Sequence, residues 1–292
     1  MSISVLEGIP FTKMEGCGND FIVLSDPGVP DHIWRAVAPL WCDRHFGAGS
    51  DGIMLLLDAS RPESEVKVQM YNPDGSPMGM CGNGIRCLTR YLSLEGIVQQ
   101  AEYTVRFDVA GRKIVCHAVD SGRRVQVDMG LPSFEPLDIP MNVSEPHIAK
   151  PITAAGETFD CTVVSMGNPH CVIPVPSADA VDLQKYGPAL ESHPIFPKRT
   201  NVEFVEVAAP GRLKVRVWER GAGVTLACGT GACASLAACS VLGLSGGDAE
   251  VDLPGGTLSI RWSGPGTPLL MTGPAREVFK GAVSSNMMEG IL

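Results

Sequence analysis

Two cysteines, Cys81 and Cys228, stand in matching settings: Cys81-Gly82-Asn83-Gly84 and Cys228-Gly229-Thr230-Gly231. Each follows an alternating apolar run (Val66, Val68, Met70; Leu213, Val215, Val217) and precedes a segment with helical spacing. The pattern predicts a strand, a turn and a helix with the thiol at the helix N-terminus. There, outward-pointing N–H groups and the helix dipole favour negative charge. One anion that profits is a thiolate, whose ordinary pKa of about 8.5 is drawn towards neutrality at such a place. Another is a ligand carboxylate, which the glycines admit close to the amides of Gly82, Asn83, Gly229 and Thr230.

The elements that must position these thiols are themselves repeated. Residues 66–96 align without a gap on 213–243, matching Lys67 with Lys214, Val68 with Val215, Cys81 with Cys228, Gly84 with Gly231 and Gly96 with Gly243. In the first copy Ile85, Leu88 and Leu92 share a helical face, and in the second Ala232, Leu236, Cys239 and Leu242 do. Gly96 and Gly243 fall where a left-handed residue ends a helix. At nearly the same offset Gly167-Asn168-Pro169-His170 answers Gly18-Asn19-Asp20-Phe21, and 200–207 answers 50–57. The offset is about one domain long, so the repeat reads as a duplicated domain. A lone cysteine is usually core packing. The paired, glycine-flanked repetition argues otherwise here.

Other segments fill in the frame. Phe11–Leu24 reads as a turn at Gly16–Asp20 running into a strand. Asp31–Phe46 has helical spacing, with Asp31 as N-cap and Pro39 as an interruption. Gly47–Gly52 is a glycine-rich loop before the strand Ile53–Leu57; it lacks the Gly-Lys-Ser/Thr and the following helix of a phosphate loop. Ala101–Met129 predicts two or three strands with a turn at Asp120-Ser121-Gly122, and the proline-rich 131–151 a linker. Cys17, Cys42, Cys87, Cys116, Cys161, Cys171, Cys233 and Cys239 lack the paired glycine setting and read as packing.

Composition narrows the class. At 292 residues and 45% hydrophobic, the chain has room for two globular domains. A net charge of −9 without a basic run excludes a nucleic-acid partner. Met1–Pro10 has no secretory pattern, and the small-residue stretch 227–246 reads as a buried helix rather than a membrane span. The ten cysteines form no C-x-x-C pair and no Cys/His spacing of the zinc type, so no metal is expected and a reducing cytoplasm fits.

With these residues in view, the chain resembles the diaminopimelate epimerase family. The resemblance runs in order through 11–24 (FTKMEGCGNDFIVL), 44–52 (RHFGAGSDG), 71–87, 167–170 (GNPH), 200–204 (TNVEF) and 218–234 (WERGAGVTLACGTGACA). It implies an α+β fold of two pseudo-symmetric domains, each a mostly antiparallel sheet wrapped around a central helix, with the active site in the cleft between them. The expected domains are 1–128 and 129–274, with the terminal strand of 275–292 crossing back. It implies a cofactor-independent epimerase interconverting LL- and meso-diaminopimelate, in which Cys81 and Cys228 alternate as thiolate base and thiol acid. His170 and Glu219 would tune the thiols. Asn19, Asn72, Asn83, Asn168, Asn201, Glu219 and Arg220 would bind substrate, together with Gly82, Gly229 and Thr230. The partner is then a small molecule, with neither nucleic acid nor membrane, and a homodimer is compatible with the sequence.

Proline racemases and hydroxyproline epimerases share the paired-cysteine pattern. They typically carry His after the first Cys-Gly, where this chain has Asn83, and they lack Trp218-Glu219-Arg220-Gly221. A thiol redox protein would favour C-x-x-C, and a pure binding module has no need of two thiols in register.

Overall fold

The segment around the Cys17-Gly18 turn folds as a hairpin of β1 (Pro10–Gly16) and β2 (Asn19–Ser25), paired from Thr12↔Val23 to Gly16↔Asn19. Both turn residues have positive φ, 55° at Cys17 and 80° at Gly18, which matches the turn to the strands' twist. The structure is a computed structural model describing residues 6–57 and 66–288. The start of the Met1–Pro10 segment and the end of the C-terminal tail lie outside the described residues. The chain divides into two compact units, one reaching Val127 and resuming at Gly273, the other Asp128–Thr272.

In the first unit the hairpin leads into α1 (Asp31–Trp41), β3 (Ile53–Leu57), β4 (Val66–Tyr71), α2 (Gly82–Leu94), β5 (Tyr103–Val109), β6 (Arg112–Val119) and β7 (Arg124–Asp128). β3 runs parallel to β2 and β5 parallel to β4; the other neighbours are antiparallel. Two local expectations change. The cap of α1 is Pro30, and Asp31 is the first helical residue, its carboxylate accepting from Arg35, Gln69 and Tyr71. Pro39 does not interrupt α1, because it lies in the final turn, where a missing N–H forfeits a single bond. Trp34 and Trp41 stack edge to face in the core beneath this helix.

The second unit repeats the plan. β8 (Lys150–Ala154), β9 (Glu157–Ser165) and β10 (Pro169–Pro174) form successive antiparallel pairs. Then come α3 (Leu183–Glu191), β11 (Asn201–Ala209), β12 (Arg212–Glu219), the short β13 (Gly223–Val224), α4 (Gly229–Val241), β14 (Asp248–Leu253), β15 (Gly256–Trp262) and β16 (Leu269–Pro274). Again β11 is parallel to β10, and β14 parallel to β12. The flank of β9 is covered by β8, whereas the corresponding flank of β1 is covered by β17 (Arg276–Ala282). The segment 131–151, expected as a linker, packs on this unit: Ile139 is in its core, Asn142 bonds Ile195 and Pro194, and Lys150 and Pro151 already belong to β8.

Both central helices end alike. Gly96 (φ 69°) and Gly243 (φ 70°) are left-handed, and the N–H groups of Ile97 and Leu244 return to the carbonyls of Leu92 and Cys239, closing a Schellman turn. The helices differ in their surroundings. α2 keeps Arg90, Ser93 and Leu94 partly exposed, whereas α4 is buried around its circumference from Ala232 to Cys239. Its small side chains let β9, β10, β11, β12, β14 and β15 all pack against it, so it presents no single apolar face. Among the described residues no helix is long and apolar enough to cross a membrane.

Candidate functional site

The candidate residues fall into two groups, one in each unit, each built around the head of a central helix. Cys81 caps α2 with extended backbone (φ −120°, ψ 109°), and Cys228 caps α4 almost identically (φ −123°, ψ 110°). Their carbonyls accept the first helical bonds, from Ile85 and Ala232, both at 2.9 Å. The N–H groups of 82–84 and 229–231 therefore belong to the first turn and point out of the helix. This is the anion-favouring geometry the sequence predicts.

In the first unit Cys81 is partly exposed, and its Sγ donates to Asn19 Oδ1 at 3.8 Å. The same oxygen accepts from Asn83 Nδ2 at 3.3 Å. Asn19 Nδ2 is engaged elsewhere, donating to Asp51 Oδ2 at 2.6 Å. Asp51 also accepts from the Asp20 N–H and from Arg44, while Arg44 and the buried Lys13 both hold Asp20. Burial works against ionisation of Asp20, but the bonds from Arg44 and Lys13 prevail and hold its carboxyl at about 2. Asn19, expected among the substrate-binding residues, thus presents its oxygen, an acceptor, beside the thiol. Asn72 stands at the end of β4, its amide donating to Ser76 Oγ at 2.9 Å. Cys17 is buried beside Arg86, and burial pushes its thiol up.

In the second unit Cys228 is buried, with Sγ 3.5 Å from Thr230 Oγ1. Asn168 Nδ2 donates to that hydroxyl at 3.4 Å, and Asn168 Oδ1 lies 3.0 Å from His170 Nε2. His170 Nδ1 is 2.7 Å from Glu203 Oε1, both side chains being fully buried. Asn201 is also buried; its Nδ2 donates to the Pro169 carbonyl and its Oδ1 accepts the Arg220 N–H at 2.9 Å. The Arg220 side chain is exposed, with Nη1 on the Lys198 carbonyl. Glu219 is half-buried at the end of β12. The thiol of Cys228 departs from the sequence expectation. Burial drives its pKa well above the ordinary range, the Glu219 and Glu203 carboxylates add to this, and the Thr230 hydroxyl and Gly231 N–H oppose it without prevailing.

Two residues in these networks had no assigned role in the sequence. Asp51 fixes which end of the Asn19 amide faces the thiol. Glu203 is an acid in the middle of the apolar run Val202-Glu203-Phe204-Val205; that interruption is the signal that could have drawn attention to it.

Comparison with known proteins accords with this arrangement. A family model described as diaminopimelate epimerase matches residues 11–135 and 162–278. A diaminopimelate epimerase of Cyanothece sp. (strain PCC 7425) is 46% identical over 280 residues, covering 94% of this chain and 99% of that protein. One from Acaryochloris marina is 44% identical over 283 residues, covering 94% and 98%. Among solved structures, a probable proline racemase from Agrobacterium radiobacter K84 superposes with a TM-score of 0.68 at 17% identity, covering 97% of this chain and 95% of that one. That likeness is one of fold. The family match spans both cysteine-headed helices and both strand systems beneath them, and with such identity along almost the whole chain this protein belongs to the diaminopimelate epimerase family.

Proposed function

We propose that this protein interconverts LL- and meso-diaminopimelate by moving the α-proton between two thiols, without a cofactor. The observation that carries the reading is the repetition of one cysteine-capped helix in each unit, in a chain of this family. A proton on carbon beside a carboxylate is weakly acidic, so its removal requires a placed base and a site ready for the charge that develops. Inversion further requires an acid on the opposite face. One thiolate removes the proton and the other thiol returns one; the roles exchange in the reverse direction.

The reacting carboxylate sits on the first-turn amides of Gly82 and Asn83 and of Gly229 and Thr230, where helix termini favour anions. Asn19 Oδ1, turned towards Cys81, suits the α-ammonium group, since an oxygen acceptor takes an N–H donor. Arg220 offers a planar fork for the distal carboxylate, while Asn72, Asn168, Asn201 and Glu219 hold the rest of the distal end. His170 and Glu219 bear on the thiols. The protein acts in the cytoplasm, where thiols stay reduced.

Incubation with the LL-isomer in deuterated water tests the reading. The α-proton resonance should fade as meso product appears, and the Cys81→Ser and Cys228→Ser variants should not exchange it at the wild-type rate. Wild-type protein that leaves the resonance intact would refute the activity.

A further inference from the structure

The two units can be compared residue by residue beneath their helix heads. In the first, Met54 pairs with Met70 across β3 and β4; in the second, Glu203 pairs with Val217 across β11 and β12. Met70 and Val217 stand at the same distance along the chain from Cys81 and Cys228. On the other side, Met54 faces Val23 in β2 and Glu203 faces Val172 in β10. Phe21 and His170 each lie two residues before those partners, hence on the same sheet face. The pair Met54/Phe21 thus occupies the place in the first unit that Glu203/His170 occupies in the second, so strand register sets β11 one residue out of step with the match of 200–207 to 50–57 read from the sequence.

Met54 and Phe21 press on the second glycine of the first cysteine turn, and Glu203 presses on that of the second. A Cβ on Gly84 would lie 1.8 Å from Met54 Cε and 3.6 Å from Phe21 Cζ. A Cβ on Gly231 would lie 2.7 Å from Glu203 Oε1 and 3.3 Å from Cys228 Sγ. The fold therefore accepts an apolar pair at this location, and the second unit carries a buried acid and a buried imidazole instead. Burying such a pair is costly and often no more stabilising than apolar side chains of similar volume. The substitution is not needed to build the unit. The Glu203 carboxyl and the Cys228 thiol lie against the same glycine.

We propose that Glu203 is a positioning residue of the reaction: by placing a carboxyl against the head of α4, it keeps Cys228 in its protonated, proton-donating form and so makes the two thiols unequal. Two anions crowded at one buried glycine oppose each other, so ionising one disfavours ionising the other. The ionisable groups within electrostatic reach of the carboxyl are His170 from β10 on its own sheet face, Cys171 from the opposite face of the same strand, Glu219 from β12 and Cys228 at the head of α4. His170 holds Oε1 at 2.7 Å, while Oε2 is buried and accepts no hydrogen bond among the described residues. Burial pushes the Glu203 carboxyl up, with His170 opposing. The Cys81 head has Met54 in that position, and its thiol is partly exposed. In the resting enzyme Cys81 is the readier base and Cys228 the acid.

This proposal rests on the reading of Cys228 as one of two proton-transfer thiols, and its test separates the two. Cys228 is titrated by ultraviolet thiolate absorbance in a Cys81→Ser background, with Cys81→Ser/Cys228→Ser protein subtracted, and Glu203→Met and Glu203→Gln are each added. Met restores the residue of the first unit; Gln keeps shape and a hydrogen bond to His170 but removes the charge. Both should move the Cys228 midpoint down by about one pH unit or more. With both cysteines intact, both variants should pull the alkaline limb of the kcat/KM profile down by a similar interval with KM little changed. A Gln variant that titrates like wild type, or a midpoint unchanged or raised in both, would overturn the proposal by showing Glu203 to be packing. The titration needs no turnover, so it stands even if deuterium exchange fails, and exchange can succeed while the midpoint stays put.

Discussion

Asn19 gives its amide nitrogen to Asp51, at 2.6 Å, and so turns its oxygen to Cys81. A carboxylate from the loop before β3 thereby decides which chemical face the first half-site shows to a ligand. Asp51→Ala should release the amide and lower kcat/KM by about tenfold to a hundredfold, the range for a lost hydrogen bond to a charged group. Asp51→Asn, which can still accept, should lose less. Steady-state kinetics with circular dichroism to verify folding would check this; equal activity in Asp51→Ala would remove Asp51 from the site.

Replacing either helix-capping thiol should remove one of the two proton-transfer groups. Cys81→Ser and Cys228→Ser should each slow epimerisation by about 10²–10⁴-fold, the usual worth of a placed acid or base, because a serine hydroxyl is far less acidic. Cys233, inside α4 and fully buried, is the control. Cys233→Ser matching the loss of Cys228→Ser, with folding unchanged, would show that Cys228 has been misassigned.

Arg220 presents an exposed guanidinium on a backbone anchored by Asn201. Arg220→Lys keeps the charge but not the fork, and should raise KM for diaminopimelate about tenfold or more while leaving thermal stability unchanged. Discrimination against an analogue lacking the distal carboxylate should fall too. Unaltered KM and selectivity would argue that the distal end binds elsewhere.

Acid should act on the first unit through Asp20. Its carboxyl is held at about 2 in the folded protein against an ordinary 3.8. A depressed folded value gives stability that is complete above 3.8 and is lost as the pH falls towards 2. Asp20→Asn should therefore flatten the loss of stability over that interval. Denaturant midpoints measured down the pH series would show it, and parallel curves for wild type and variant would contradict the assignment.

The sequence by itself determined the duplication, the strand-turn-helix setting of both thiols and the glycines that end both helices, because these follow from periodicity and local backbone chemistry. Gly96 and Gly243 end their helices in left-handed conformation, as a residue without a Cβ readily can. Tertiary structure decided what each thiol faces. Asp51 reaches Asn19 from a distant loop, and Glu203 meets His170 only where β11 lies beside β10. The raised pKa of Cys228 shows why local reading could not suffice: a helix N-terminus is visible in sequence, but the burial and the carboxylates that outweigh it are set by which strands pack beneath the helix. The contrast between Met54 and Glu203 has the same origin, since strand register alone reveals that two unlike residues share one place.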